Sequence, residues 1–291
     1  MTKKCGYIAL LGATNAGKST LLNTIMAEKI AIVSRKVQTT RGPIRGVRNE
    51  GEAQMIFVDT PGVFAASSKF DRAMVSAAWS AMDSADAVAY IIDASKGLTA
   101  TTTRIVEKLR TVASPKCAIL NKVDLVPKAE LLPMAQMLGN MGLFDEIFML
   151  SAARGDGLSP FLKWAEAKMP EAPWEYSARD KTDMPLPRRL AEITREKVYQ
   201  YLHQELPYMI AVATDDMEGS VVRQTIYTSE KAHRQIIIGK LGAKLKQIGI
   251  AARADIEKIL GRKINLELEV VVEKDWKNLP EFFASGGLDY K

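Results

Sequence analysis

The 291-residue sequence predicts an α/β domain built on a mostly parallel sheet, followed by a smaller α+β domain. Three observations carry this expectation. Short apolar runs alternate with helical patterns up to about residue 169; Pro170, Pro173, Pro185 and Pro187 then crowd into a short stretch; and the order of elements changes beyond them. The length suits two cores rather than one. Hydrophobic residues make up 47% and charged ones 25%, the balance of a soluble globular chain rather than a disordered, fibrous or membrane one.

Strands are expected at Tyr7 to Leu11, Gln54 to Val58, Ala87 to Ile92, Cys117 to Leu120 and Ile147 to Leu150. Helices are expected at Lys18 to Ala27, Asp71 to Met82, Thr101 to Val112, Ala129 to Met141 and Ser159 to Lys168, the last with Ser159 as N-cap and Pro160 just inside. Residues 1–169 thus form the first domain, 170–187 an interdomain linker and 188–273 the second domain, with a tail over 274–291. The second domain reads helix (Arg188 to Gln204), strand (Met209 to Thr214), strand (Val222 to Thr228), short helix (Glu230 to Ile238), glycine loop, long helix (Ala243 to Leu260) and strand (Ile264 to Val272). Apolar and polar residues alternate along the last strand, as in a sheet with one wet face.

Composition excludes several chemistries. Cys5 and Cys117 are too few for a disulfide framework and have no metal-ligand spacing, while His203 and His233 stand alone. The N-terminus lacks the apolar core of a secretory signal and no apolar run has membrane-spanning length, so a cytoplasmic location is expected. The net charge of +6 permits a polyanionic partner without demanding one. Its distribution says more, because the nine basic residues between Lys231 and Lys263 face two acids, Asp255 and Glu257.

Gly12-Ala13-Thr14-Asn15-Ala16-Gly17-Lys18-Ser19, followed by Thr20, places a G-x-x-x-x-G-K-S pattern between an expected strand and an expected helix. Such a loop wraps phosphate in backbone amides, with Lys18 reaching the β and γ phosphates and Ser19 ligating magnesium. Asp59-Thr60-Pro61-Gly62 follows the run Met55 to Val58. A Pro-Gly turn would explain its last two residues, but not an acid at a strand end, where Asp59 can hold magnesium through water. Asn121-Lys122-Val123-Asp124 comes at the carboxyl edge of the sheet. The Asp124 carboxylate offers two acceptors to the N1 hydrogen and exocyclic amine of guanine, which adenine does not match. Ser151-Ala152-Ala153 would close over the base through backbone amides. In the polar stretch 34–41, Thr40 is the chosen third magnesium ligand, with Thr39 as runner-up.

In order, these segments resemble the translation-factor-related class of small GTPases, which implies a P-loop GTPase domain, GTP and GDP as ligands, and the segments 34–41 and 60–70 as nucleotide-dependent switches. Ras-like enzymes carry a water-orienting glutamine just after Asp-x-x-Gly; here the position is Val63, which cannot orient water by hydrogen bonding. The family pattern suggests potassium held partly by Asn15, so Asn15, Lys18 and Thr40 are the catalytic candidates.

The second domain contains Ile238-Gly239-Lys240-Leu241-Gly242, an I-G-x-x-G core between two helical segments. A glycine-broken hairpin with a solvated lysine face is the bland alternative. The element order favours a type II KH domain instead, whose glycine loop admits nucleic-acid backbone beside a groove for about four unpaired nucleotides. Ile238, Gly239, Lys240, Leu241, Gly242, Lys244 and Lys246 are the RNA-binding candidates, with Ile238, Leu245 and Ile248 expected to pack beneath the loop. The tail carries Trp276, Phe282, Phe283 and Tyr290, which could stack on bases or dock on the domain.

A GTPase domain followed at once by a type II KH domain resembles the bacterial Era family over nearly the whole chain. The resemblance implies binding to the 3′ end of small-subunit ribosomal RNA, a role in assembling the small ribosomal subunit, peripheral contact with the inner face of the membrane, and a monomeric chain. Thr14 departs from the proline that many members carry. Two rivals stand beside this reading: an RNA-binding assembly factor whose nucleotide site only binds, and a GTPase acting on another RNA.

Overall fold

The structure is a computed structural model that describes residues 2–34, 40–63, 69–202 and 209–276, with the side chain of Phe70 excepted. It divides into two compact units, one running to Asp183 and the other from Met184 onward, with the short stretch from Ile32 grouped with the second.

The first unit alternates β1 (Lys4–Gly12), α1 (Lys18–Met26), β2 (Ile44–Glu50), β3 (Ala53–Asp59), α2 (Lys69–Asp83), β4 (Ala87–Asp93), α3 (Ala100–Leu109), β5 (Lys116–Asn121), α4 (Lys128–Gly139), β6 (Glu146–Leu150) and α5 (Leu158–Ala167). Its six strands lie in the order β2-β3-β1-β4-β5-β6. Only β2 runs antiparallel to its neighbour. β3, β4 and β5 are buried along their whole length, which is why they read as continuous apolar runs rather than alternating ones. Because β1, β3, β4 and β5 are parallel neighbours, their carboxyl ends deliver Gly12, Asp59, Asp93 and Asn121 to one edge of the sheet.

Three expectations need correction. β2 is absent from the expected strands, because Arg45, Arg48, Asn49 and Glu50 put polar residues on both faces of this edge strand and hide its pattern. α5 begins after Gly157, which adopts a left-handed φ of 76°, so Ser159 lies inside the helix and is not its cap. Residues 170–183 are not a free linker: they strap the first unit. The Cys5 amide donates to Pro170 O and the Ala172 amide to Lys3 O at the start of β1, while the Val47 amide donates to Lys181 O and the Thr182 hydroxyl to Arg45 O, which covers outward-facing groups of the β2 edge. The buried Gln54 side chain pins the strap by accepting from the Glu175 and Tyr176 amides, each at 2.9 Å, and donating to Tyr176 O at 2.9 Å. Tyr7 adds a hydroxyl bond to the Glu175 carboxylate.

The second unit comprises α6 (Leu186–Tyr201), β7 (Ile210–Glu218), β8 (Val221–Thr228), α7 (Lys231–Ile238), α8 (Ala243–Leu260) and β9 (Asn265–Val272). The order of elements is the expected one, although α6 starts two residues earlier and ends at Tyr201. β8 pairs antiparallel with β7 and parallel with β9. One face of this sheet packs on a core that includes Val198, Ile210, Ile226, Ile237, Ile248 and Val270. In the tail, Trp276 is 1% exposed and its indole donates to Met209 O at 3.3 Å, so this aromatic docks on its own unit. Phe282, Phe283 and Tyr290 lie outside the described residues, as do Thr39 and His203. Among the described residues no helix is long and apolar enough to cross a membrane.

Gln54→Leu keeps the side-chain volume but leaves two strap amides and a carbonyl without partners. The expected result is a loss of about 3 kcal/mol in unfolding free energy and faster protease cleavage within 174–182, measured by denaturant titration and limited proteolysis. Wild-type cleavage kinetics would show that Gln54 does not hold the strap.

Candidate nucleotide site and nucleic-acid interface

The loop from Gly12 to Gly17 joins the end of β1 to the start of α1, so the positive end of α1 points at the cavity the loop encloses. Four of its carbonyls are held by side-chain donors. Lys18 donates to Gly12 O at 3.0 Å and Ala13 O at 2.9 Å; Lys122 donates to Asn15 O at 2.8 Å; Asn121 donates through Nδ2 to Ala16 O at 2.8 Å. The Val63 amide also donates to Gly12 O, at 3.2 Å. Asn15 takes a left-handed φ of 62°, which for a non-glycine residue is a strained conformation that its surroundings must impose. Gly17 has a φ of 104°, and a Cβ there would stand 2.1 Å from Asn121 Nδ2, so only glycine permits that bond.

Ser19, Thr40 and Asp59 converge beside the loop. The Ser19 hydroxyl donates to Asp59 Oδ2 at 2.6 Å, the Thr40 hydroxyl to the same oxygen at 3.1 Å, and the two hydroxyls lie 3.0 Å apart. Asp59 is fully buried and its Oδ1 has no hydrogen-bond partner. A buried, orphaned carboxylate oxygen within a cluster of hard oxygens is the donor set a magnesium ion takes. Burial pushes the Asp59 carboxyl up against the pull of Lys18 and the two hydroxyls. Burial also pulls the Lys18 ammonium down to about 8, with Asp59 compensating in part.

On the guanine side, Asn121 Oδ1 accepts from the Ala152 amide at 2.9 Å, and Ala152 O accepts from the Thr24 hydroxyl at 2.6 Å. The Ser151 amide donates to Asp156 O. Two of the three amides expected to close over a base are therefore spent on fixing their own loop, and Ala153 is exposed. Val123 and Asp124 sit in a short 3-10 turn after Lys122. The Ser151 hydroxyl, with Arg154 adding its charge, holds the Asp124 carboxyl below the usual range. Thr60 donates its hydroxyl to Leu10 O, Pro61 and Gly62 are buried, and the Val63 side chain joins the apolar core. Thr14 and Thr20 are half-buried at the rim and in the first turn of α1. Sequence reasoning missed Thr24 and Asp93. The only signal for Asp93 was an acid at the end of an apolar strand.

In the second unit the loop Gly239 to Gly242 links α7 to α8. Gly239 has a φ of 71°, and a Cβ there would press to 2.7 Å from the Lys244 Cβ. Leu241 holds a left-handed φ of 51° with 99% of its surface exposed, a strained apolar tip with no packing reason to be there. Beside the loop runs a groove of about 360 Å³ whose lining includes Leu245, Gly249, Ile250, Arg253, Leu266 and Leu268. Ile248 is core and Ile238 packs half-buried against it, so Ile238 supports the loop from beneath; Leu245 both supports the core and lines the groove. The basic cluster divides by position. Lys258 pairs with Asp255 and Lys263 with Glu257, whereas Lys240, Lys244, Lys246 and Arg253 make no salt bridge among the described residues and surround the loop and groove.

Comparison with known proteins matches residues 7–122 to the 50S ribosome-binding GTPase family and residues 197–277 to the KH domain family. GTPase Era of Afipia carboxidovorans is 45% identical over 292 aligned positions, covering 99% of this chain and 95% of the relative. This chain belongs to the Era family of GTPases. GTPase Era of Rhizobium meliloti is 42% identical, with 99% and 93% covered. A crystal structure of Era in complex with MgGDPNP and nucleotides 1506–1542 of 16S ribosomal RNA superposes with a TM-score of 0.93 at 34% identity, covering 98% of this chain and 99% of that one. Aquifex aeolicus Era, as a variant bound to GDP·AlF4−, gives 0.92 at 35% identity with the same coverage. The expected P-loop GTPase fold followed by a KH domain is the fold of this Era-family member.

Lys18 titrates near 8 in the fold against an ordinary value of 10.5, so the unfolded chain binds more protons between those values. Stability of the nucleotide-free protein should therefore rise with pH from about 8 toward 10.5. Lys18→Met should flatten the rise of nucleotide-free Tm with pH above about 8 and abolish stabilisation by GDP. An unchanged pH dependence of Tm in Lys18→Met would contradict the assigned cost of burying the ammonium.

Proposed function

We propose that the first unit binds GTP and GDP with magnesium and hydrolyses GTP, and that the second grips the 3′ end of small-subunit ribosomal RNA during assembly of the small ribosomal subunit. The observation that carries the reading is the convergence of Ser19, Thr40 and Asp59 beside a phosphate loop in which the carbonyls of Gly12, Ala13, Asn15 and Ala16 are held by side-chain donors, in a chain that also presents an open Gly-Lys-Leu-Gly loop. The Era complex with MgGDPNP and 16S nucleotides supports the same pairing of ligands.

In this reading, Gly12 to Thr20 wrap the phosphates, with the loop amides and Lys18 meeting the β and γ oxygens. Ser19, Thr40 and Asp59 would hold magnesium, which supplies positive charge to those oxygens when bound. Asp124 reads guanine, while Asn121, Lys122 and the Ser151 to Ala153 loop fix the platform; Thr60, Pro61, Gly62 and Val63 follow the γ-phosphate position. Water attacks the γ phosphate in line and the charge that develops falls on groups already positioned. Val63 lies in the core and offers no hydrogen bond to that water. Catalysis therefore draws on another group, and potassium held partly by Asn15 is the reading that fits its left-handed backbone, fixed by Lys122. The same proposal puts the domain division near residue 184, which the two compact units support, and takes the protein as a monomer of the cytoplasm with peripheral contact with the inner membrane, for which the support is the family. The stretches 34–41 and 60–70 lie partly outside the described residues, and a nucleotide-dependent change there is tested by limited proteolysis with GDP and with a GTP analogue.

Hydrolysis under single-turnover conditions should be at least severalfold faster in potassium than in sodium chloride, and Asn15→Ala should erase the difference. Equal rates in the two salts for the wild type would remove potassium from the account. For RNA, Lys244→Ala should weaken binding of a single-stranded 3′-end ribosomal fragment and reduce the salt slope of log affinity by about 1. Leu241→Ala should weaken binding severalfold with the slope unchanged. Unchanged affinity in both variants would move the RNA site off this loop.

A further inference from the structure

Asp93 stands at the end of β4, only 7% exposed, on no nucleotide contact that the reading above requires. Its Oδ2 accepts from Lys122 Nζ at 2.6 Å, and its Oδ1 accepts from the Ser95 hydroxyl at 2.6 Å and the Ser95 amide at 3.1 Å. One oxygen therefore caps a short turn and the other faces the guanine loop. Lys122 spends a second donor on Asn15 O at 2.8 Å. The bonds form one line from Asp93 through Lys122 to the strained Asn15 of the phosphate loop.

A lysine is a point charge on a flexible four-carbon stem, and the Lys122 side chain is 30% exposed. One neutral carbonyl is a weak hold on such a group beside open water. A buried carboxylate at 2.6 Å makes a charge-assisted bond of about twice a neutral bond's strength and fixes the ammonium's direction. Asn15 and Lys122 both carry left-handed backbones, with φ of 62° and 66°. Two strained residues from different loops are thus joined by a single ammonium. Burial raises the Asp93 carboxyl, but its bonds to Lys122 and Ser95 outweigh that and keep it below its usual range, so it stays charged at neutral pH.

We infer that Asp93 is a positioning residue for nucleotide retention: by orienting Lys122, it holds the Asn15 carbonyl outward and keeps the phosphate loop in its anion-accepting shape. Asp93 itself touches no phosphate. The inference rests on the nucleotide-site reading above. Its bland rival is that Asp93 serves only as the cap of the Ala94–Lys96 turn.

The test is the release rate of fluorescent GDP from the full-length protein in magnesium, with Tm followed in parallel. Asp93→Ala should speed release about tenfold, and Asp93→Asn, which keeps the shape and loses the charge, severalfold. Ser95→Ala removes the turn cap and leaves the Lys122 bond, so its release rate should match the wild type. Adding Asp93→Ala to Lys122→Ala should bring no further change, because the two act through one contact. The KM for GTP should rise in Asp93→Ala by more than kcat falls. Wild-type release from both Asp93 variants, an equal effect from Ser95→Ala, or additive effects in the double variant would each overturn the inference. Should Asp93→Ala fail to fold, Asp93→Asn and Ser95→Ala still decide between the two roles. If the wild type retained no GDP, the nucleotide-site reading itself would fall.

Discussion

A backbone that must attract a polyanion has to present its amides and hide its carbonyls, and a peptide left to itself does not sort the two. In this protein the sorting is imposed by donors from outside the loop. Lys18 takes the carbonyls of Gly12 and Ala13, Lys122 takes that of Asn15, and Asn121 takes that of Ala16. Much of the first unit follows from that need. Parallel β1, β4 and β5 bring Gly12, Asp93 and Asn121 to the same edge, and Gly17 leaves the space through which Asn121 reaches. A residue of the guanine-reading motif is, in this geometry, also a strut of the phosphate site.

The second unit meets the same problem with a lighter device. Around Gly239 to Gly242 the loop's own amides take its carbonyls, Gly242 N donating to Gly239 O and Ala243 N to Lys240 O, and positive φ values at Gly239, Leu241 and Gly242 turn the chain. Affinity then falls to long-range charge. Lys258 and Lys263 are paired with the α8 acids Asp255 and Glu257, while Lys240, Lys244, Lys246 and Arg253 make no salt bridge among the described residues and surround an apolar groove. Charge distribution within the helix, rather than its total, thus marks the side on which a nucleic-acid backbone would lie.

Much of this was legible in the sequence because it is written in local signals. The parallel strands announce themselves as apolar runs, and the loop motifs sit where strand meets helix. The failures share a cause: their determinants are tertiary. β2 has four polar residues in seven and exists because β3 pairs one of its edges and the strap shields the other. Gln54 looked like the first residue of a strand, yet it is the fully buried post to which a proline-rich segment is tied. Asp93 and Thr24 lie in no motif, and their importance appears only when Lys122 and Ala152 are brought to them. The Gly157 start of α5 could not be separated from a Ser159 cap because both are respectable helix beginnings.

The central claim is that the guanine loop holds the phosphate loop in shape, so that phosphate affinity depends on a residue that touches no phosphate. Calorimetric titration with magnesium tripolyphosphate, which carries no base, tests it directly in wild type and Asn121→Ala. An affinity at least about tenfold weaker in Asn121→Ala, at matched Tm, is the predicted result. Equal affinities for tripolyphosphate would contradict the account and confine Asn121 to the base side of the site.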